Sequence, residues 1–325
     1  MARAIVVRET GGPEVMIGTD VQVGTPGPGE VRLRQTAIGV NFIDTYHRSG
    51  LYPIANLPFT PGMEAVGEVE EIGEGVTDLK EGDRVCYGNG PMGSYASDRI
   101  MPTGSLIKVP GALGDEQVAG MMLRGLTVWY LLRSLHDLKA GETVLFHAAA
   151  GGVGLIFCQW AKHIGATVIG TVGSEEKAEL AKASGCDHVI LYKNEDFVSK
   201  VNAITDGKKV SVVYDGVGKD TFMGSLDCLQ KRGLMVSFGN ASGPPPALEI
   251  GSLGPKGSLF VTRPTLFDYT GTRDQLVQGC NDLFDVVGSG AVNIEVGQSY
   301  GLEQAGHAHN DLESRKTTGS TILLP

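Results

Sequence analysis

Positive charge is in short supply in this chain: 27 Lys and Arg stand against 37 Asp and Glu, a formal net charge of −10. So acidic a chain disfavours nucleic acid or an anionic membrane as a partner, while leaving room for a local basic pocket. Cysteine is sparse and scattered. The five, Cys86, Cys158, Cys186, Cys228 and Cys280, form no C-x-x-C pair. That argues against a disulfide framework and a structural zinc lobe, and points to a reducing cytoplasm. Cys158 reads as a small core residue. No apolar run is long enough to span a bilayer, and MARAIVVRET reads as a short strand with no signal-peptide h-region. Internal repeats are absent, and the one low-complexity tract is the short loop 243–246 (GPPP).

Glycine, by contrast, is abundant: 47 of 325 residues, where ~7% is usual. The excess suits a fold with many strand–helix corners and close backbone approaches to a ligand. A chain of this length exceeds one ordinary core, so two domains are expected. Up to about residue 124, short apolar runs (AIVV, EVRLRQTAIGV, EAVGEVEEIG, DRVCYG) alternate with Pro and Gly turns. This predicts a β-rich, rolled or barrel-like antiparallel domain over 1–124. Over 125–262 strands and helices alternate. Strands are predicted at 143–147, 167–171, 188–191, 211–214, 234–238 and 259–262, and helices include 175–184, 195–205 and 220–230. The result is an α/β, doubly wound parallel sheet. From 263 to 325 the pattern gives helices at 273–288 and 303–314 and a strand at 320–324, a segment expected to return to the first domain. The cleft between two domains is a common place for ligands.

The stretch 141–162, GETVLFHAAAGGVGLIFCQWAK, is the most informative. TVLFH reads as a buried strand. Val153, Ile156, Phe157, Trp160, Ala161 and Ile164 then recur at helical spacing. A glycine turn between them lets a pyrophosphate rest on backbone N–H groups at a helix N-terminus. Ala149 replaces the first glycine of G-x-G-x-x-G, leaving Gly151 and Gly154. Alone the turn is weak evidence, since such turns also serve packing. The following strand and helix complete a β-α-β unit.

Strand two ends in GTVGSEEK, with no acid before Glu175. An acid there would bond adenosine ribose hydroxyls and repel a 2′-phosphate. Ser174 can donate a hydrogen bond and Lys177 supplies positive charge, contributions of about 1.5–3 kcal/mol each when charge-assisted. Tyr192 flanks the same corner. The reading is NADPH over NADH; otherwise Lys177 is an ordinary solvated lysine, and Glu175 and Glu176 would oppose phosphate if turned inward.

The block G-E-x-x-L-x-x-x-A-A-G-G-x-G-x-x-x-x-Q-x-x-K from Gly141 through Gln159 to Lys162 resembles that of the zinc-free quinone oxidoreductases, the ζ-crystallin-like branch of the medium-chain dehydrogenase/reductase superfamily. The segments AIGVNFIDTYHRSGLYP (37–53), PGMEAVGEVEEIGEGV (61–76), RGLTVWYLL (124–132), VVYDGVG (212–218), GLMVSFGN (233–240) and LFVTRP (259–264) agree with it nearly from end to end. The resemblance implies a Rossmann domain with a GroES-like catalytic domain, NADPH-dependent reduction of quinones, and a homodimer paired through the strand at 257–262, whose free apolar edge would otherwise be a liability. Zinc alcohol dehydrogenases are similar but carry a cysteine near Asp44 and a histidine in G-H-E, where this chain has Gly62-Met63-Glu64. Glu64 cannot hold zinc alone, so no metal is expected. His307 and His309, two residues apart, are expected at the surface.

Without zinc the protein must align the nicotinamide and stabilise charge on a quinone oxygen. The resemblance implies Asn41 near the nicotinamide and Tyr46 and Tyr52 bordering the substrate. Tyr52 could equally be packing, Asp44 could be a helix N-cap, and Arg263 could enter the pocket or brace the domain interface. For the cofactor it implies Gly152 and Val153 at the pyrophosphate, Gly173, Ser174, Lys177 and Tyr192 at the adenosine phosphate, and Thr127 and Tyr130 on the nicotinamide side. Phe238, Gly239, Asn240, Thr262 and Pro264 lie along the cleft, and Arg315 is either a second positive group or a surface arginine. Two alternatives stay open: reduction of activated alkenes or enones, and an NADPH-binding, crystallin-like structural protein with little turnover.

Overall fold

The computed structural model describes residues 1–325. Two compact units emerge: Met1–Thr127 with Thr270–Ser289 and Ile294–Pro325, and Val128–Tyr269 with Gly290–Asn293. The division expected after residue 124 therefore falls inside a continuous helix, and the return expected at Arg263 begins at Thr270. The reason for the second shift is local. Arg263 Nη1 donates to the carbonyls of Ser237 and Gly239, and Tyr269 stacks on Tyr130 with ring centroids 4.7 Å apart, so residues 263–269 stay with the second unit.

The first unit opens with the antiparallel pair β1 (Ala2–Val7) and β2 (Met16–Val21). Its hub is the eleven-residue β3 (Glu30–Val40), which leads into α1 (Phe42–Ser49). Then come β4 (Ala65–Ile72), β5 (Arg84–Tyr87), β6 (Asp98–Pro102), β7 (Ile107–Lys108), α2 (Asp115–Ala119) and α3 (Met122–Trp129). Alternation puts Val31 and Leu33 of β3 in the core, and a register shift against β4 between Gln35 and Ala37 changes the phase, so that Ile38 and Val40 enter it too, with Val69, Val85, Tyr87 and Met101. On the opposite face Arg32 and Arg34 pair with Glu68, Glu70 and Glu71 across β4.

In the second unit a π-helical turn (Tyr130–Leu135) precedes β8 (Thr143–His147), α4 (Gly152–Ile164), β9 (Thr167–Val172), α5 (Glu175–Ala183), β10 (His188–Leu191), α6 (Phe197–Ile204), β11 (Val210–Asp215), α7 (Phe222–Asp227), β12 (Leu229–Ser237), β13 (Phe260–Thr262) and α8 (Leu266–Tyr269). All six strands are parallel, in the order β10-β9-β8-β11-β12-β13. Strand order reverses between β8 and β11, the position at which open α/β sheets receive ligands. The helix anticipated over 220–230 is shorter because the chain already enters β12 at Leu229.

The chain returns to the first unit through α9 (Arg273–Gly288), β14 (Val296–Gly301), α10 (Ala305–Glu313) and β15 (Ser320–Leu324). Its sheet runs β14-β15-β3-β4-β5-β7, with β6 also on β3. The antiparallel expectation fails at one pair: β14 and β15 are parallel. With α10 between them the chain makes a crossover, which is what parallel neighbours require.

Phe157 of α4 packs between Phe146 (4.3 Å between centroids) and Tyr214 (4.8 Å), and is fully buried. Replacing it with alanine should cost about 3–5 kcal/mol, read as a lower midpoint in urea unfolding of the second unit.

Candidate functional site

In the first unit β3 ends at Val40 and Asn41 is the N-cap of α1. Asp44 is therefore not the N-cap but the N3 residue: its Oδ2 accepts the Asn41 backbone N–H at 2.8 Å, closing the first turn from within. The Asn41 side chain is fixed in turn, because Nδ2 donates to Glu64 Oε2 at 2.6 Å. Glu64 is fully buried; its Oε1 accepts from Leu123 N at 2.8 Å, and Arg124 Nη1 lies 3.6 Å from Oε2. Arg124 also donates to the carbonyl of Val40. Two glycines make this packing possible. A Cβ on Gly39 would lie 2.0 Å from Glu64 Oε2, and one on Gly62 (φ +92°) would lie 2.1 Å from Ser94 Oγ and 2.3 Å from the Tyr95 ring.

A line of donors runs from solvent to Asp44. Glu313 holds Arg48 through two bonds of 2.9 and 2.8 Å, and Arg48 Nη1 is 3.5 Å from His309 Nδ1. Arginine can only donate, so Nδ1 accepts. Then Nε2–H donates to the Tyr95 hydroxyl at 2.9 Å, and that hydroxyl donates to Asp44 Oδ2 at 3.0 Å. His309 thus overturns the surface expectation: it is fully buried, whereas His307 is exposed. Two positions along α10 turn through about 200°, so the two imidazoles leave the helix on opposite faces. Asp44 Oδ1 is buried with no partner.

Burial sets the charges here. It pushes the Asp44 carboxyl up to about 7 against the pull of the Asn41 amide and the Tyr95 hydroxyl. It drives the His309 imidazole down to about 3, with Arg48 acting in the same direction. Burial also raises Glu64, and Arg124, Asn41 and the backbone N–H groups of Leu123 and Met122 oppose it.

Of the other expected residues in this unit, Tyr46 is buried and meets the half-buried Tyr52 edge-on at 5.1 Å. Thr127 is buried in α3 and gives its hydroxyl to Leu123 O at 2.7 Å. Arg315 is exposed, just beyond α10, with φ +60°.

The second unit holds the glycine turn. Ala148 is left-handed (φ +59°), Gly151 is the N-cap of α4, and the first-turn amides of Gly152 and Val153 have no intrahelical acceptor. Only glycine fits at position 154, where a Cβ would meet the Ala148 and Ala149 oxygens at 2.5 and 2.6 Å. At the end of β9, Ser174 is the N-cap of α5 and accepts from Lys177 N at 3.3 Å, which leaves the seryl proton to donate. Lys177 is half-buried, while Glu175 and Glu176 are exposed. Tyr192 folds back, its N–H on Val172 O at 3.2 Å, so that a Cβ at Gly173 would lie 2.9 Å from its hydroxyl. Gly173, Ser174, Lys177 and Tyr192 are thereby brought to one corner. Phe238, Gly239 and Asn240 follow β12, and Thr262 and Pro264 flank Arg263, whose guanidinium bridges the ends of β12 and β13. Tyr130 is buried against Tyr269.

Residues 27–112 match the alcohol dehydrogenase GroES-like domain, and residues 152–289 match a family described as zinc-binding dehydrogenase. A quinone oxidoreductase of Pseudomonas aeruginosa is 52% identical over 325 residues, covering 100% of both chains. The chain belongs to the quinone oxidoreductase branch of the medium-chain dehydrogenase/reductase superfamily. Within that branch, the structure of the Escherichia coli quinone oxidoreductase complexed with NADPH superposes with a TM-score of 0.98 at 49% identity, again over 100% of both chains. A 2-haloacrylate reductase of Burkholderia sp is 49% identical, covering 100% of this chain and 99% of that one.

Sequence reasoning missed Arg124, Tyr95 and His309, and treated Glu64 only as a failed zinc ligand. One signal was available: Arg124 interrupts the apolar run MMLRGLTVWYLL, and a buried charge demands a buried partner.

Asp44 and His309 make opposite contributions to stability. Between pH about 4 and 7 the folded chain keeps an Asp44 proton that the unfolded chain has lost, so stability falls as pH rises, by about 1.4 kcal/mol per unit. Below pH about 6.5 the unfolded chain takes a His309 proton that the folded chain refuses until about 3, so stability rises with pH at a similar slope. The two largely cancel from about 4 to 6.5. Asp44→Asn should unmask a loss of stability toward acid, and His309→Gln a loss toward neutrality. Urea midpoints at three pH values in that range check this; identical slopes for all three proteins would refute it.

Proposed function

We propose that this chain reduces quinones at the expense of NADPH without a zinc ion. The observation that carries the reading is the corner at the end of β9, where Ser174, the half-buried Lys177 and Tyr192 converge on Gly173 and no acid intervenes before the exposed Glu175. That donor set suits a 2′-phosphate, and the similarity to an NADPH-bound quinone oxidoreductase supports it. The amides of Gly152 and Val153 would hold the pyrophosphate. When bound, NADPH supplies the reducing equivalents.

The chain's own residues do the rest. In the first unit the Asn41 amide, held by Glu64, and Thr127 are the groups assigned to the nicotinamide; in the second unit they are Tyr130, Phe238, Gly239, Asn240, Thr262 and Pro264. Tyr46 and Tyr52 present hydroxyls to a quinone oxygen. Asp44 acts behind Asn41, closing its helix turn. Arg263 holds the strand ends, and Arg315, exposed beyond α10, is the second positive group that the family resemblance offers for the cofactor. Zinc independence is supported by the donor set: Met63 offers a thioether, and Asp44 and Glu64 are engaged with Asn41, Tyr95 and Leu123, short of the three committed ligands a catalytic zinc needs. We further propose a cytoplasmic homodimer paired along β13, the sheet edge, where Phe260 is 57% exposed.

The 2-haloacrylate reductase similarity favours a second reading, reduction of an activated alkene on the same scaffold. Purified protein assayed with NADPH against quinones and α,β-unsaturated acids and ketones separates them; faster turnover of the unsaturated compounds would replace the quinone reading. Lys177→Ala should raise KM for NADPH about 10- to 100-fold and leave KM for NADH unchanged. Equal effects on both cofactors would remove the 2′-phosphate role.

A further inference from the structure

Beneath the glycine turn lies a buried imidazole that the proposed reaction leaves unused. His147, the last residue of β8, is 1% exposed. Its Nδ1 is 2.9 Å from Thr171 Oγ1 at the end of β9, and its Nε2 is 2.9 Å from Ser225 Oγ in α7. One placement of the hydrogens gives every group along this line a partner. Ser225 has two acceptors for its single proton, Thr221 O at 2.8 Å and Asp215 Oδ2 at 3.3 Å. Its oxygen is thereby left to accept from Nε2–H. Nδ1 must then accept, taking the Thr171 hydroxyl proton, and Thr171 Oγ1 is in turn the acceptor for Ala148 N–H at 3.4 Å. The far end is secured as well. Asp215, fully buried, also accepts from Val217 N at 2.8 Å, Gly218 N at 3.0 Å and the Thr221 hydroxyl.

We infer that His147 is a positioning residue for cofactor binding: through Thr171 it ties the left-handed Ala148 of the pyrophosphate turn to the Asp215 anchor at the end of β11. The inference rests on the NADPH reading above. Its physical basis is the conformation of Ala148. An alanine at φ +59° is held against its own preference, and its carbonyl then receives Gly151 N at 2.9 Å, which sets the N-cap of α4 and the aim of the next two amides. Ala149 N already bonds the Thr171 carbonyl at 3.0 Å, and the Thr171 hydroxyl adds a bond that reaches the Ala148 amide itself. The chain Ala148–Thr171–His147–Ser225–Asp215 spans the ends of β8, β9 and β11, and keeps the turn in register with all three. An apolar side chain at 147 would fill the space against Phe197, whose ring meets the imidazole edge-on at 5.0 Å, yet would leave Thr171 and Ser225 without their shared partner.

The experiment measures dissociation constants of two ligands for the full-length protein: NADPH, which has the pyrophosphate, and adenosine 2′-monophosphate, which has the adenosine corner without it. His147→Phe and Thr171→Val should each raise the NADPH constant about tenfold. Because they break one chain, the double variant should be no more than about twofold worse than either. His147→Asn, whose Oδ1 overlays Nδ1 and can still take the Thr171 proton, should recover most of the loss. The adenosine 2′-monophosphate constant should stay within twofold throughout. An additive, roughly hundredfold loss in the double variant, an equal loss for both ligands, or unchanged NADPH binding in folded His147→Phe would each overturn the inference. Wild-type protein that binds no NADPH would instead overturn the reading beneath it.

Discussion

Glu64 is the contact on which the first unit's chemistry depends. A carboxylate with no exposed surface must be matched by donors, and its donors come from three places: Asn41 at the start of α1, Leu123 at the start of α3, and Arg124 one residue later. Meeting that demand joins the end of β3, the start of β4 and two helix N-termini into one arrangement. It also explains why residue 39 is glycine, since a Cβ there would meet Glu64 Oε2; Gly62 makes room instead for Ser94 and the Tyr95 ring beside Asp44.

The second unit solves a similar problem at the carboxyl ends of its strands. Parallel strands end together, so their turns are neighbours, and polar side chains at those ends can bond one another. Arg263 joins β12 to β13 by grasping main-chain oxygens. His147 joins β8 to β9 and to α7 by side chains. In both units, hydrogen bonds run in one direction toward a buried aspartate, Asp44 in one and Asp215 in the other. Such lines restrict the elements they cross, because moving one member breaks bonds to its neighbours on both sides.

Much of this was legible in the chain itself. The six parallel strands, the glycine turn and helix α9 follow from period, punctuation and capping residues, all of which act over a few positions. The corner of Gly173, Ser174 and Lys177 is similarly local, and Tyr192 arrives because β10 must lie beside β9. The parallel β14–β15 pair was not legible, since either direction satisfies the same alternation. Nor was His309: two histidines two apart on an acidic helix look alike until it is known which face of α10 turns toward Arg48 and Tyr95.

Sequence alone determined the classes of element, the nucleotide-binding unit and the identity of the groups available for chemistry, because backbone preference and hydrophobic period are written residue by residue. Tertiary structure alone decided which of those groups are paired, buried and shifted in protonation. Tyr95 meets Asp44 from 51 positions away and His309 meets Arg48 from 261 positions away. Burial and partnership depend on distances through space, and nothing in a local window of the chain records them.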